Sequence, residues 1–139
     1  MISEGTDTFA GLPLLAFLAV RPVPPLNAAT YSMRMDLTPK AMNLMGAAHG
    51  GAVATLIDAA GGIAAGQLVQ RPGPTADLMI RYLAPATGPW IRADATIVKA
   101  GRRLVIVDVK VTAEDGRLVA VGSLSVAPLL SPGKVPPDG

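Results

Sequence analysis

Between Ala29 and Leu37 the chain alternates, with Tyr31, Met33, Met35 and Leu37 set between the polar Thr30, Ser32, Arg34 and Asp36. A period of two predicts a strand with one face in the core and the other in water. The pattern then changes. From about Gly50 to Leu68 the chain is apolar nearly all round, and Leu56, Ile57, Ala60, Ile63 and Ala64 project in several directions at helical spacing. A helix without a polar face has to be surrounded. After Pro74 the two-residue period returns. Ala76, Leu78, Ile80 and Tyr82 share one face; Ile91, Ala93, Ala95 and Ile97 form a second row; Val105, Val107, Val109 and Val111 form a third. Leu118 to Val126 reads as a fourth, more fully buried strand. The breaks "PATGP", "KAG" and "EDG" are short and turn-forming, which predicts consecutive antiparallel strands. The pattern therefore predicts an α+β fold: a strand, one buried helix, then a four-strand antiparallel meander, the curved sheet wrapping the helix.

The remaining segments refine this outline. The apolar run Phe9 to Val20 is too short to span a bilayer, contains Pro13 and follows the acidic Glu4 and Asp7. It is read as a core-packing helix or strand, with no membrane partner. The Pro/Gly-rich Ser131 to Gly139 has nothing to bury and is expected to be a disordered tail, leaving one domain over residues 1–130 of the 139.

Composition changes the picture in two ways. Half of the residues are apolar and 16% are charged, an apolar surplus that favours a homo-oligomer. A net charge of +2, with no basic cluster beyond the pair Arg102 and Arg103, gives no footprint for nucleic acid. One histidine and no cysteine leave little material for a transition-metal site and fit a reducing cytoplasm.

The candidate chemistry lies around the helix start. Asp58 has apolar neighbours in sequence on every side, and an unpaired buried carboxylate would be costly or would titrate abnormally. Either it is neutralised by a hydrogen bond, an arginine or a subunit contact, or it is a general base or nucleophile in a pocket. Gly50 and Gly51 open the helix, where the first amides have no intrahelical acceptor and the dipole is positive. A substrate oxygen could approach those amides, or the glycines could serve only a tight loop-to-helix turn. His49 could orient a carbonyl or hold the loop, and Asn43 could be a turn residue. Gly50 and Asp58 are eight residues apart, roughly 12 Å along a helix. A single reacting carbon cannot touch both in one chain. If both serve one site, a second copy must supply one of them, as a two-fold dimer does.

The string N-x-x-G-x-x-H-G-G-x-x-x-x-L-x-D, carried by Asn43, Gly46, His49, Gly50, Gly51, Leu56 and Asp58, resembles the hotdog-fold acyl-CoA thioesterases of the PaaI-like, phenylacetate-degradation type. The resemblance continues through Thr75 to Ala86, Val98 to Val111 and Asp115 to Val126. It implies a curved antiparallel sheet around one long central helix, dimers that join their sheets, and in many members tetramers. It also implies hydrolysis of an acyl-CoA with no metal or redox cofactor. Asp58 matches the catalytic carboxylate, Gly50 the amide that polarises the thioester carbonyl, and Asn43 and His49 residues near that carbonyl and the attacking water. Thr75 falls where relatives carry a Ser or Thr that helps position the water. Arg102 and Arg103 are either contacts for coenzyme A phosphates or an exposed hairpin charge pair. Two other readings stay open on the same fold: an enoyl-CoA hydratase or dehydratase, and a non-catalytic acyl-CoA binder. The region Gly11 to Ala29, with Pro22, Pro24 and Pro25, matches the family only loosely. Few aromatics are present, so an adaptable pocket of methionines such as Met33, Met42 and Met45 is expected in place of ring stacking.

Overall fold

The apolar rows converge on one helix. The computed structural model describes residues 12–129. Along the chain come a short helix α1 (Pro13–Phe17), strands β1 (Val20–Val23) and β2 (Thr30–Asp36), a 3-10 turn (Pro39–Ala41), the long helix α2 (Gly50–Val69), and strands β3 (Thr75–Tyr82), β4 (Trp90–Ala100), β5 (Val105–Ala113) and β6 (Leu118–Val126). The strands form a six-stranded sheet in the order β1-β2-β4-β5-β6-β3, antiparallel at every pairing. Met33 and Met35 of β2, Ile91 and Ala93 of β4, the four valines of β5 and Leu124 and Val126 of β6 are buried. They form one core with Val53, Leu56, Ile57, Ala60 and Ala64 of α2. This is the α+β architecture that the periodicity demanded.

The sheet order departs from a four-strand meander. Strands β4, β5 and β6 follow one another as hairpins, but β3 pairs with β6 and lies at the sheet edge. The segment "PATGP" therefore crosses the end of the sheet where a hairpin turn was expected. Its crossing is fixed by backbone bonds: the amides of Leu83 and Ala84 donate to the Val119 carbonyl, Ala48 donates to Ala86, and Leu37 donates to Pro89. Short connections predicted neighbours here, and long-range pairing decided otherwise.

Three other expectations need correction. The outer face of β2 is not uniformly wet, because Ser32 is buried and its Oγ donates to Asp94 Oδ1 at 2.5 Å, where Arg92 Nε also donates at 2.9 Å. The N-terminal apolar run packs on one side only: Leu15, Leu18 and Val20 are buried, whereas Leu12, Leu14 and Phe17 are exposed. Phe9 to Gly11 and the expected tail from Ser131 lie outside the described residues. Finally, α2 is surrounded on one side only. Its opposite face, with Thr55, Asp58, Ala59, Gly62 and Ile63, is half-buried and forms the floor of a cleft.

A β-bulge in β3 matters most for the site. Leu78, Ile80 and Tyr82 pair with Leu124, Gly122 and Ala120, on the helix side of the sheet. Strict alternation would put Ala76 on that side and Thr75 outside. The register shifts between Thr75 and Asp77, so Ala76 is the extra residue and Thr75 pairs with the buried Val126. The bulge turns Thr75 toward α2.

Candidate active site

The start of α2 is built by its one histidine. His49 is the N-cap, in extended conformation, and its Nδ1 accepts the Gly51 amide at 2.9 Å. Its backbone carbonyl accepts the amides of Ala52 and Val53 at 2.9 and 3.1 Å. The sequence offered His49 as a group near a carbonyl or as a structural donor; the structure makes it an acceptor that caps the helix, with the ring proton on Nε2. The two glycines then separate in role. The Gly51 amide is committed to the cap, and a Cβ there would lie 3.1 Å from His49 Nδ1. The Gly50 amide has no acceptor among the described residues. Nor does packing force a glycine at position 50. The three atoms nearest a Cβ there belong to the Tyr82 side chain, at 3.4 to 3.7 Å, and φ is not positive. What the missing side chain leaves open is the approach to a free amide at the positive end of a 20-residue helix.

The loop before the helix is held by Asn43. Its Oδ1 accepts the amides of Met45 at 2.8 Å and Ala47 at 3.1 Å, while its own amide donates to the Ala47 carbonyl at 2.7 Å. Asn43 is thus a turn residue, as one reading allowed, and its Nδ2 has no partner among the described residues. Asn43, Met45, Gly50, Val53 and Tyr82 line a pocket of about 500 Å³. Beside it, Leu44 and Met45 are almost fully exposed.

Asp58 lies two turns further along α2. Thr75 Oγ1 donates to its Oδ1 at 2.6 Å, and it takes part in none of the ion pairs among the described residues. The acid is therefore neither unpaired nor enclosed, but half-buried and bonded to a hydroxyl. Both side chains line a cleft of about 1180 Å³ between α1, the open face of α2 and the Arg71–Thr75 segment. The cleft and the Gly50 pocket have no lining residue in common. Strand β3 connects them: Thr75 at its start bonds Asp58, and Tyr82 at its end donates from its hydroxyl to the Gly50 carbonyl at 2.7 Å.

Arg102 and Arg103 are exposed and line neither cavity. Their turn precedes Val105, which pairs with Val126, which pairs with Thr75. Val105 is two strand spacings, about 10 Å, from Thr75, and the turn with Arg102 and Arg103 lies at that end of the sheet. The buried phenol of Tyr31, pushed up to about 12 by desolvation, also lies outside both cavities.

A bonded carboxylate with open space before it can orient a water or attack an acyl carbon. A free amide at a helix end can hold a developing oxyanion. The comparisons with known proteins bear on this pairing. The profile of the thioesterase superfamily matches residues 45–120, a stretch that includes both Gly50 and Asp58. The chain belongs to that superfamily. Its fold is the hotdog fold of the solved members. A thioesterase family protein from Silicibacter pomeroyi superposes with a TM-score of 0.80 at 28% identity, over 90% of this chain and 95% of that one. A Bacillus halodurans protein solved with CoA superposes with a TM-score of 0.74 at 26% identity, over 91% of this chain and 84% of that one. Among curated proteins, one from Halobacterium salinarum described as a candidate esterase is 41% identical over 70 residues, 48% of this chain and 46% of that protein. The matched stretches span about half the length of the curated relatives.

Of the residues singled out from sequence, the structure brings Asp58 to Thr75, and Asn43 to the pocket of Gly50. It leaves Arg102 and Arg103 apart from both. The sequence reading missed Tyr82 as part of the site. The signal was present, because Tyr82 continues the helix-facing row of Leu78 and Ile80 and ends level with the helix start.

Proposed function

We propose that this thioesterase-superfamily protein hydrolyses an acyl-CoA thioester to the free acid and coenzyme A, in a site completed by a second copy of the chain. The observation that carries the reading is the separation of the free Gly50 amide from the Thr75-bonded Asp58. They occupy different cavities, at opposite ends of the same edge strand. An eight-residue edge strand with exposed Leu78, Met79 and Tyr82 invites pairing with another strand. If two copies pair β3 to β3 antiparallel about a two-fold axis, the Thr75 end of one lies against the Tyr82 end of the other. Asp58 of one chain then approaches Gly50 of its partner. The exposed Leu44 and Met45 supply apolar surface for the same contact, and back-to-back association into a tetramer is compatible with it.

In such a site the thioester carbonyl oxygen accepts the Gly50 N–H. Asp58, held by Thr75, either takes a proton from the attacking water or attacks the carbon itself to give an anhydride that water opens. In both routes the C–S bond breaks, one water supplies the oxygen gained overall and the proton taken up by sulfur, and coenzyme A leaves as its thiol. The relative solved with CoA supports a coenzyme A ester as substrate. The motif Asn43 to Asp58 supports the phenylacetate-degradation type, and the mainly apolar lining of both cavities suits an aliphatic or aryl acyl group. A cytoplasmic enzyme fits the cysteine-free sequence. Arg102 and Arg103 remain candidates for the coenzyme A phosphates only if the assembly brings a substrate tail to their end of the sheet.

The deciding experiment is a thiol-release screen of the purified protein over acyl-CoA esters of graded size, with the assembly state measured alongside. Release from at least one ester by a dimer or tetramer supports the reading. Saturable binding without thiol release from any ester, or turnover by a monomer, overturns it. A smaller effect is expected at Thr75. Thr75→Ala should lower kcat about tenfold or more, the worth of one hydrogen bond to a charged group, and Thr75→Ser should restore most of it. Equal turnover in steady-state assays of Ala and Ser variants would remove Thr75 from the mechanism.

A further inference from the structure

Tyr82 touches the residue that bears the free amide, and nothing in the chemistry above uses it. The three atoms nearest a Cβ at Gly50 all belong to its side chain, the hydroxyl oxygen first. Its hydroxyl donates to the Gly50 carbonyl at 2.7 Å although the residue is 55% exposed and the side chain could turn to water. The first residue of a helix has no upstream carbonyl to hold its amide. A glycine there, followed by a second glycine, has the widest backbone freedom of any residue. His49 restrains this turn through Gly51, and Tyr82 adds a second anchor through the Gly50 carbonyl. Oxyanion stabilisation depends on donors that are already aligned when charge develops.

Resting on the thioester-hydrolase reading, we propose that Tyr82 is the positioning residue for the Gly50 amide, its hydroxyl holding the Gly50 backbone so that the N–H points steadily at the carbonyl oxygen. Tyr82 acts through Gly50 and takes no proton from substrate. It comes from β3, the strand that also delivers Thr75 to Asp58. One edge strand therefore adjusts both halves of the chemistry.

The test is Tyr82→Phe, which removes the hydroxyl and keeps the ring at a half-exposed position. Alignment of an oxyanion donor acts in the transition state, so kcat should fall about 3- to 10-fold with KM within about twofold. A second readout is vibrational. In an Asp58→Asn background that holds substrate, a ¹³C-labelled thioester carbonyl should absorb at lower frequency bound than in solution, and adding Tyr82→Phe should move it part of the way back. A hydroxyl that serves only the fold would lower the melting temperature and leave the carbonyl frequency alone. Wild-type kcat with an unshifted band in the Phe variant overturns the proposal while thiol release by the wild type keeps the hydrolase reading. Absence of thiol release by the wild type overturns both.

Discussion

Asp58→Asn is expected to lower thioester hydrolysis by about 10²-fold or more while the fold and the assembly persist, if general-base action is its main role. The amide is nearly isosteric with the acid and can still accept the Thr75 hydroxyl, so the bond across the cleft survives. It can neither take a proton from water nor form an acyl anhydride. Asp58 sits on the half-exposed face of α2 and not among Leu56, Ile57 and Ala60, so little core packing changes. Thiol release measured beside melting temperature and gel filtration separates the outcomes. Wild-type turnover by the variant would dismiss Asp58 from the chemistry.

Mixing two dead variants should restore activity. Asp58→Asn removes the acid, and Gly50→Val places a side chain before the free amide; the nearest atoms to its Cβ are the hydroxyl oxygen and ring carbons of Tyr82, at ordinary contact distance. Every site in either homodimer is damaged. In a mixed dimer one site collects both defects, and the other receives an intact Asp58 from one chain and an intact Gly50 from its partner. With random mixing, half the dimers are mixed and half of their sites work, so activity should return to roughly a quarter of wild type under two-fold symmetry. Differently tagged chains, co-expressed, allow the heterodimer to be purified away from both parents, and with one working site of its two it should show about half of wild-type activity. A folded but inactive heterodimer would mean that Gly50 and Asp58 do not meet across an interface.

Much of this molecule was legible in its residue pattern. The valine row of β5, the inward methionines of β2 and the bounds of α2 follow from local periodicity, and the structure keeps each nearly to the residue. What periodicity could not show depends on contacts far apart in sequence. The pairing of β3 with β6 is one such case, since "PATGP" carries the same turn residues whether it closes a hairpin or crosses a sheet end. The Ala76 bulge is another. Two-residue alternation puts Thr75 on the outside, and only the register against β6 turns it to Asp58. Within the site, the spacing of Gly50 and Asp58 already called for two chains if both residues serve one reacting carbon. The difference between the glycines did not show, because it arises when the His49 ring takes the Gly51 amide and leaves that of Gly50 free. The half-open face of α2 was hidden for a related reason: alanine and glycine look alike in a sequence whether they meet a sheet or line a cleft.

The two cavities share no lining residue. In the proposed assembly a newly folded subunit would therefore be chemically silent, and catalysis would begin with encounter. A molecule that reaches the amide of one chain and the carboxylate of the other binds only the paired state, so by mass action it draws subunits together. Substrate would then act as adhesive as well as reactant. Upon dilution below the dissociation point of the dimer, specific activity would decline with concentration, and saturating ester would postpone that decline.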